Sequence, residues 1–110
     1  MNPKNNIFQT PSILPKEELF QTLFQNKEKG ILIERIISTG QITPENEWYD
    51  QAKDEWVVLL PGESTLLFDE IGGEELQLKG GDSVFIEAGR KHRVIFTSKE
   101  PPCIWLAVHF

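Results

Sequence analysis

The spacing of apolar residues changes once along this chain, at Gly30. Before it, Leu19, Phe20, Leu23 and Phe24 recur at helical spacing and form one stripe. Pro15 stands near the start of that segment, Glu17 and Glu18 follow at what would be its positive end, and Lys27, Lys29 and Gly30 close it. Those are helix start and stop signals, so the pattern predicts a short N-terminal helix whose stripe must cover something. After Gly30 the period becomes two, in Ile31 to Ser38, Glu55 to Leu60, Ser64 to Phe68, Glu74 to Leu78, Ser83 to Glu87, His92 to Phe96 and Ile104 to Phe110. Between these runs lie "PG", "GG", "GGD", "AGRK" and "KEPP", turn chemistry at intervals of roughly eight to twelve residues. The reading is all-β: about seven or eight antiparallel strands closed on themselves, plus one short helix.

Alternation also sorts side chains into faces. Glu55, Val57 and Leu59 share one face of their strand, and Trp56, Val58 and Leu60 share the other. Both are apolar, so this strand lies between layers, or in a barrel whose outer face a helix or a second subunit covers. His92, Val94 and Phe96 share a face opposite Arg93 and Ile95, which places His92 inward. For Glu55 the pattern does not decide, because Trp56 suits burial equally well. Nor does it choose between the face of Trp105, Ala107 and His109 and that of Ile104, Leu106, Val108 and Phe110.

Composition narrows the partners. At 110 residues without a composition shift, the chain is expected to be one domain, with residues 1–30 as an N-terminal extension and 31–110 as the barrel. A net charge of -6 without basic blocks opposes binding to phosphate backbones, so nucleic acid is not an expected partner. No apolar run is long enough to cross a bilayer, and "MNPKNNIFQT" has no secretion signal, so no membrane association and a cytoplasmic location are expected. Cys103 is the sole cysteine; with no intrachain disulfide or thiolate cluster available, it reads as structural, and any metal would need nitrogen and oxygen ligands.

Two motifs resemble those of the cupin superfamily, in particular its small single-domain bacterial members. In "GDSVFIEAGRKHRVIF", Gly81, Gly89 and His92 fall at the offsets of the second cupin motif, with Glu87 where proline is usual and Phe96 in place of asparagine. Glu55 and Gly62 fit the end of the first motif. The first motif's two histidines are missing: Tyr49 and Gln51, or Trp48 and Asp50, stand there instead. The resemblance covers roughly Gly40 to the C-terminus and implies a jelly-roll-like barrel with Glu55 and His92 facing its interior.

Those two residues are the candidate catalytic pair, in a pocket also lined by Tyr49, Gln51, Val57, Val94 and Phe96. As a metal site they supply two ligands for zinc, iron, manganese or nickel, leaving His109, Gln51 or Tyr49 as the third. Without a metal they satisfy each other as a buried pair. The expected function is binding of, or metal-dependent chemistry on, a small polar molecule: oxygenation, isomerisation or hydrolysis if an enzyme. The alternative is a metal-free binding module. A homodimer is expected in either case, because Trp56, Val58, Leu60 and Trp105 offer more outward apolar surface than one helix covers.

Overall fold

All seven period-two runs are strands in the computed structural model of the chain, which describes residues 4–70 and 72–110. An eighth precedes them. In chain order the strands are β1 (Leu19–Asn26), β2 (Ile31–Ser38), β3 (Glu55–Leu59), β4 (Glu63–Phe68), β5 (Glu75–Lys79), β6 (Ser83–Ile86), β7 (His92–Thr97) and β8 (Cys103–His109). They form a five-stranded sheet ordered β1-β2-β8-β3-β6 and a three-stranded sheet ordered β5-β4-β7, antiparallel throughout. The core lies between the sheets and is built from Val57, Leu59, Leu66, Phe68, Leu78, Ile86, Trp105 and Ala107.

The expected N-terminal helix is not there; its residues are β1. Two features explain the difference. Asn26 to Gly30 is a hairpin turn, in which the Lys29 N–H donates to Asn26 Oδ1 at 3.0 Å, the Gly30 N–H donates to the Lys27 carbonyl at 3.2 Å, and Gly30 takes a φ of 70°. A left-handed glycine after lysines closes a hairpin as well as it ends a helix. The register of β1 on β2 also shifts between Thr22 and Phe24, so Phe20 opposes Ile36 while Phe24 opposes Ile33 on the other face. A strand with one bulge thus reproduces the spacing of Leu19, Phe20, Leu23 and Phe24 that reads as a helix. No helix among the described residues is long and apolar enough to cross a membrane.

The β3–β4 turn is fixed by packing. Gly62 has a φ of 111°, and a Cβ there would lie 2.8 Å from both Cα and Sγ of Cys103. Cys103 is fully buried and its thiol donates to the Glu63 carbonyl at 3.2 Å, so it is a structural residue at the start of β8.

Candidate ligand-binding cleft

Strand register decides what periodicity left open. Glu55 opposes His109 on β8 and Ile86 on β6, while Val57 opposes Ala107 and Leu59 opposes Trp105. All of these line the space between the sheets. Ile36 opposes Trp105, and Glu34 opposes Ala107, so β2 contributes Glu34 and Ile36 to the same face. From the other sheet, His92 opposes Phe68 and Val94 opposes Leu66. Between β2 and β3 the chain runs beside β7, and Tyr49 exchanges backbone hydrogen bonds with His92 at 2.8 and 3.1 Å. That pairing stacks the Tyr49 ring on the His92 imidazole, with centroids 5.5 Å apart.

These elements line a narrow cleft open to solvent. Its polar side chains are Glu18, Glu34, Tyr49, Gln51, Glu55, His92 and His109; Phe20, Ile36, Val57, Leu66, Ile86, Val94 and Trp105 supply the apolar wall. The expected residues Tyr49, Gln51, Glu55, Val57, His92, Val94 and His109 are therefore brought together. Phe96 is not: the register of β7 on β4 shifts after Val94, so Phe96 opposes Thr65 on the outer face and is 46% exposed. Trp105, whose face the pattern leaves open although it is one of the apolar residues capable of facing outward, points inward and donates its indole N–H to Ser38 Oγ at 3.2 Å.

Three carboxylates line the cleft, two of them not singled out by sequence pattern. Glu34 sits mid-strand in "ILIERIIS", on the face of Leu32 and Ile36, and an acidic residue inside an apolar run was the available signal. Glu18 reads in sequence as a residue of the helix start. In the fold its carboxylate accepts the Ser38 hydroxyl, and burial raises its pKa.

Two acid–imidazole pairs result, and they differ. His109 Nε2 lies 2.9 Å from Glu34 Oε1, a hydrogen bond that raises the histidine's pKa against the opposing effect of burial. His92 Nε2 and Glu55 Oε1 are 3.9 Å apart, too far to share a hydrogen bond, although the residues are only 5% and 7% exposed. Since the Arg90 carbonyl can only accept, the contact of His92 Nδ1 with it at 2.9 Å places the proton on Nδ1. Burial lowers the His92 pKa and keeps the ring neutral, leaving the Nε2 lone pair free. Burial likewise raises the Glu55 pKa; the His109 charge opposes this and the Glu34 charge adds to it.

The 3.9 Å gap discriminates between occupants. A hydrogen-bonding atom about 2.8 Å from both would see them at about 90°, an ordinary angle between two acceptors. A metal ion about 2.1 Å from both would see them at about 135°, wide of tetrahedral or octahedral angles. Among the described residues no three His, Cys, Asp or Glu side chains are grouped to hold a metal ion. As arranged, the Glu55–His92 pair fits a hydrogen-bond donor, and a metal ion would require the two side chains to move closer together with Gln51 or Tyr49 as a further ligand.

A family model described as "Cupin domain" matches residues 35–109. Among solved structures, a protein of Ralstonia eutropha JMP134 described as a candidate mannose-6-phosphate isomerase is 35% identical with a TM-score of 0.88, over 98% of this chain and 97% of its own. A cupin superfamily protein of Desulfitobacterium hafniense DCB-2 is 17% identical with a TM-score of 0.71, over 91% of this chain and 83% of its own. The hydroxypropylphosphonic acid epoxidase of S. wedmorenis, solved with fosfomycin, is 20% identical with a TM-score of 0.70; the match spans 84% of this chain but only 51% of the epoxidase. The last two likenesses show the fold alone. Comparison with curated proteins finds no significant match.

Proposed function

The chain belongs to the cupin family, and from that premise we propose that its cleft binds a small polar molecule between Glu55 and His92. One observation carries the reading: two polar side chains, each more than nine-tenths buried, face the cleft with free acceptor atoms and no hydrogen bond between them. Holding a carboxylate and an imidazole largely out of water costs stability even where their free atoms reach the cleft, and a ligand donating to both offsets part of that cost. The same pair has the chemistry for proton transfer. Neutral His92 presents a basic nitrogen, and a carboxyl of raised pKa gives and takes a proton nearer neutrality than an exposed one. The Tyr49 stack and the Arg90 carbonyl hold the imidazole still.

A divalent metal is the competing reading, favoured by the free lone pairs of Glu55 and His92 in one cleft. It needs those residues to close on the ion and Gln51 or Tyr49 to complete the set, since His109 is held by Glu34. We also propose a homodimer. The outer face of the five-stranded sheet carries Phe24, Trp56, Phe85 and Phe110, between 38% and 53% exposed, more adjoining aromatic surface than a monomer ordinarily leaves in water. Trp105 contributes nothing to that face.

The test is to purify the untagged protein without chelator and to analyse metal and extractable organic molecules by mass spectrometry, beside Glu55→Gln and His92→Phe. The expected result is substoichiometric metal and a small organic molecule that both substitutions release. Stoichiometric metal lost in both variants would overturn the reading in favour of a metal centre.

A further inference from the structure

Resting on the reading of the cleft as a binding site, we propose that its ligand is a small protonated amine, and that phosphorylated and carboxylated molecules are excluded. Three of the donors around the cleft are consumed within the protein: the Trp105 indole N–H goes to Ser38, the Ser38 hydroxyl goes to Glu18, and His109 Nε2 is held by Glu34. His92 Nδ1 gives its proton to the Arg90 carbonyl. His92 Nε2 and the carboxyl of Glu55 face the cleft as acceptors without a hydrogen bond from the protein, beside the Tyr49 hydroxyl and the Gln51 amide. A molecule that fills the 3.9 Å gap between them must donate.

Charge points the same way. Glu18, Glu34 and Glu55 line the cleft, and among the described residues no lysine or arginine does. Arg90, whose charge acts on His92, is committed elsewhere: its Nε lies 2.6 Å from Glu70 Oε1 and its guanidinium covers the Phe68 ring at 3.8 Å. A phosphate entering this space would meet three carboxyl groups with only His109 as a counter-charge, and that imidazole is already paired with Glu34. Phosphate sites commonly use arginine or lysine, and among the described residues neither is in the lining. An ammonium group suits every feature: it donates to His92 Nε2 and Glu55, it offsets the carboxylates, and the rings of Tyr49, Trp105 and Phe20 in the wall attract a cation. The described substrate of the Ralstonia relative is a sugar phosphate. The lining of this chain favours an unphosphorylated amine instead.

The proposal is tested with three probes that differ in one group: mannosamine, mannose and mannose 6-phosphate, with inorganic phosphate and methylammonium as fragments. Each is titrated into the full chain while the imidazole signals of His92 and His109 are followed by NMR, with affinities from calorimetry. Mannosamine and methylammonium are expected to move the His92 signal. Mannosamine should bind at least about tenfold more tightly than mannose, as one charge-assisted hydrogen bond allows. Glu55→Gln should lose about that factor, while Glu75→Gln on the exposed part of β5 should not. Mannose 6-phosphate or phosphate binding more tightly than the amine, with loss in Glu55→Gln, would overturn the charge assignment and leave the cleft as a binding site. No response to either amine at millimolar concentration would also overturn it; the extraction experiment above then judges the binding reading separately. Near-ultraviolet circular dichroism of Glu55→Gln establishes that the variant is folded.

Discussion

At the scale of single residues, the cleft stores opposed proton equilibria. Glu55 has its pKa raised by burial, so between the ordinary carboxyl range and that raised value the folded state binds more protons than the unfolded state. Stability therefore falls as pH rises through that window. His92 is shifted down by burial, so the folded state binds fewer protons than the unfolded state between its lowered pKa and the ordinary histidine value; stability rises with pH there. Glu55→Gln removes the first effect without changing shape. The variant should gain on the order of 1 kcal/mol at neutral pH, a rise of about 4–8 °C in midpoint, and should lose the advantage below the carboxyl range. Thermal unfolding of both proteins across the acid to neutral range checks this, and equal midpoints throughout would contradict it. A stability cost in an unliganded cleft is what a binding residue is expected to carry.

Elements show why some of the molecule was legible in sequence and some was not. Strands β2 to β8 follow from alternation and turn chemistry because each buries one face in a shared core, and that constraint is written residue by residue. Strand β1 lies at a sheet edge with Phe20 and Phe24 about half exposed, and its bulge places the apolar residues at helical spacing. Only the pairing with β2 distinguishes the two readings, and pairing is not a local property. Phe96 fails for a related reason. A one-residue shift in β7 turns it outward, and period two cannot register a bulge. Glu55 and His92 came from motif spacing, whereas Glu34 and Glu18 needed the strand register to bring them in. The turn glycine is more predictable. Gly62→Ala puts a Cβ 2.8 Å from Cys103 at a φ of 111°, and should cost about 2–4 kcal/mol by urea denaturation. A loss below about 0.5 kcal/mol, the size of an ordinary surface change, would mean the turn relaxes freely.

For the whole molecule, the two faces of the five-stranded sheet have different tasks. The inner face builds the cleft with the three-stranded sheet. The outer face places Trp56 beside Phe85 and Val108 in register, with the Phe85 and Phe110 rings 6.3 Å apart, and carries the proposed dimer contact. Sedimentation at micromolar concentration is expected to give twice the chain mass, and Trp56→Glu to give a folded monomer. A monomeric wild type would remove the dimer from the account without touching the cleft.

The central claim is that the cleft presents a neutral imidazole with a free Nε2 beside an unpaired carboxyl, while the second imidazole is tied up. The chain has two histidines, so a nitrogen–proton NMR titration of the imidazole rings, assigned with His109→Gln, reads both directly. His92 is expected in the Nδ1–H form, titrating below the ordinary histidine range, and His109 is expected to titrate above it. His92 protonated at neutral pH, or the reverse order of the two titrations, would contradict the claim.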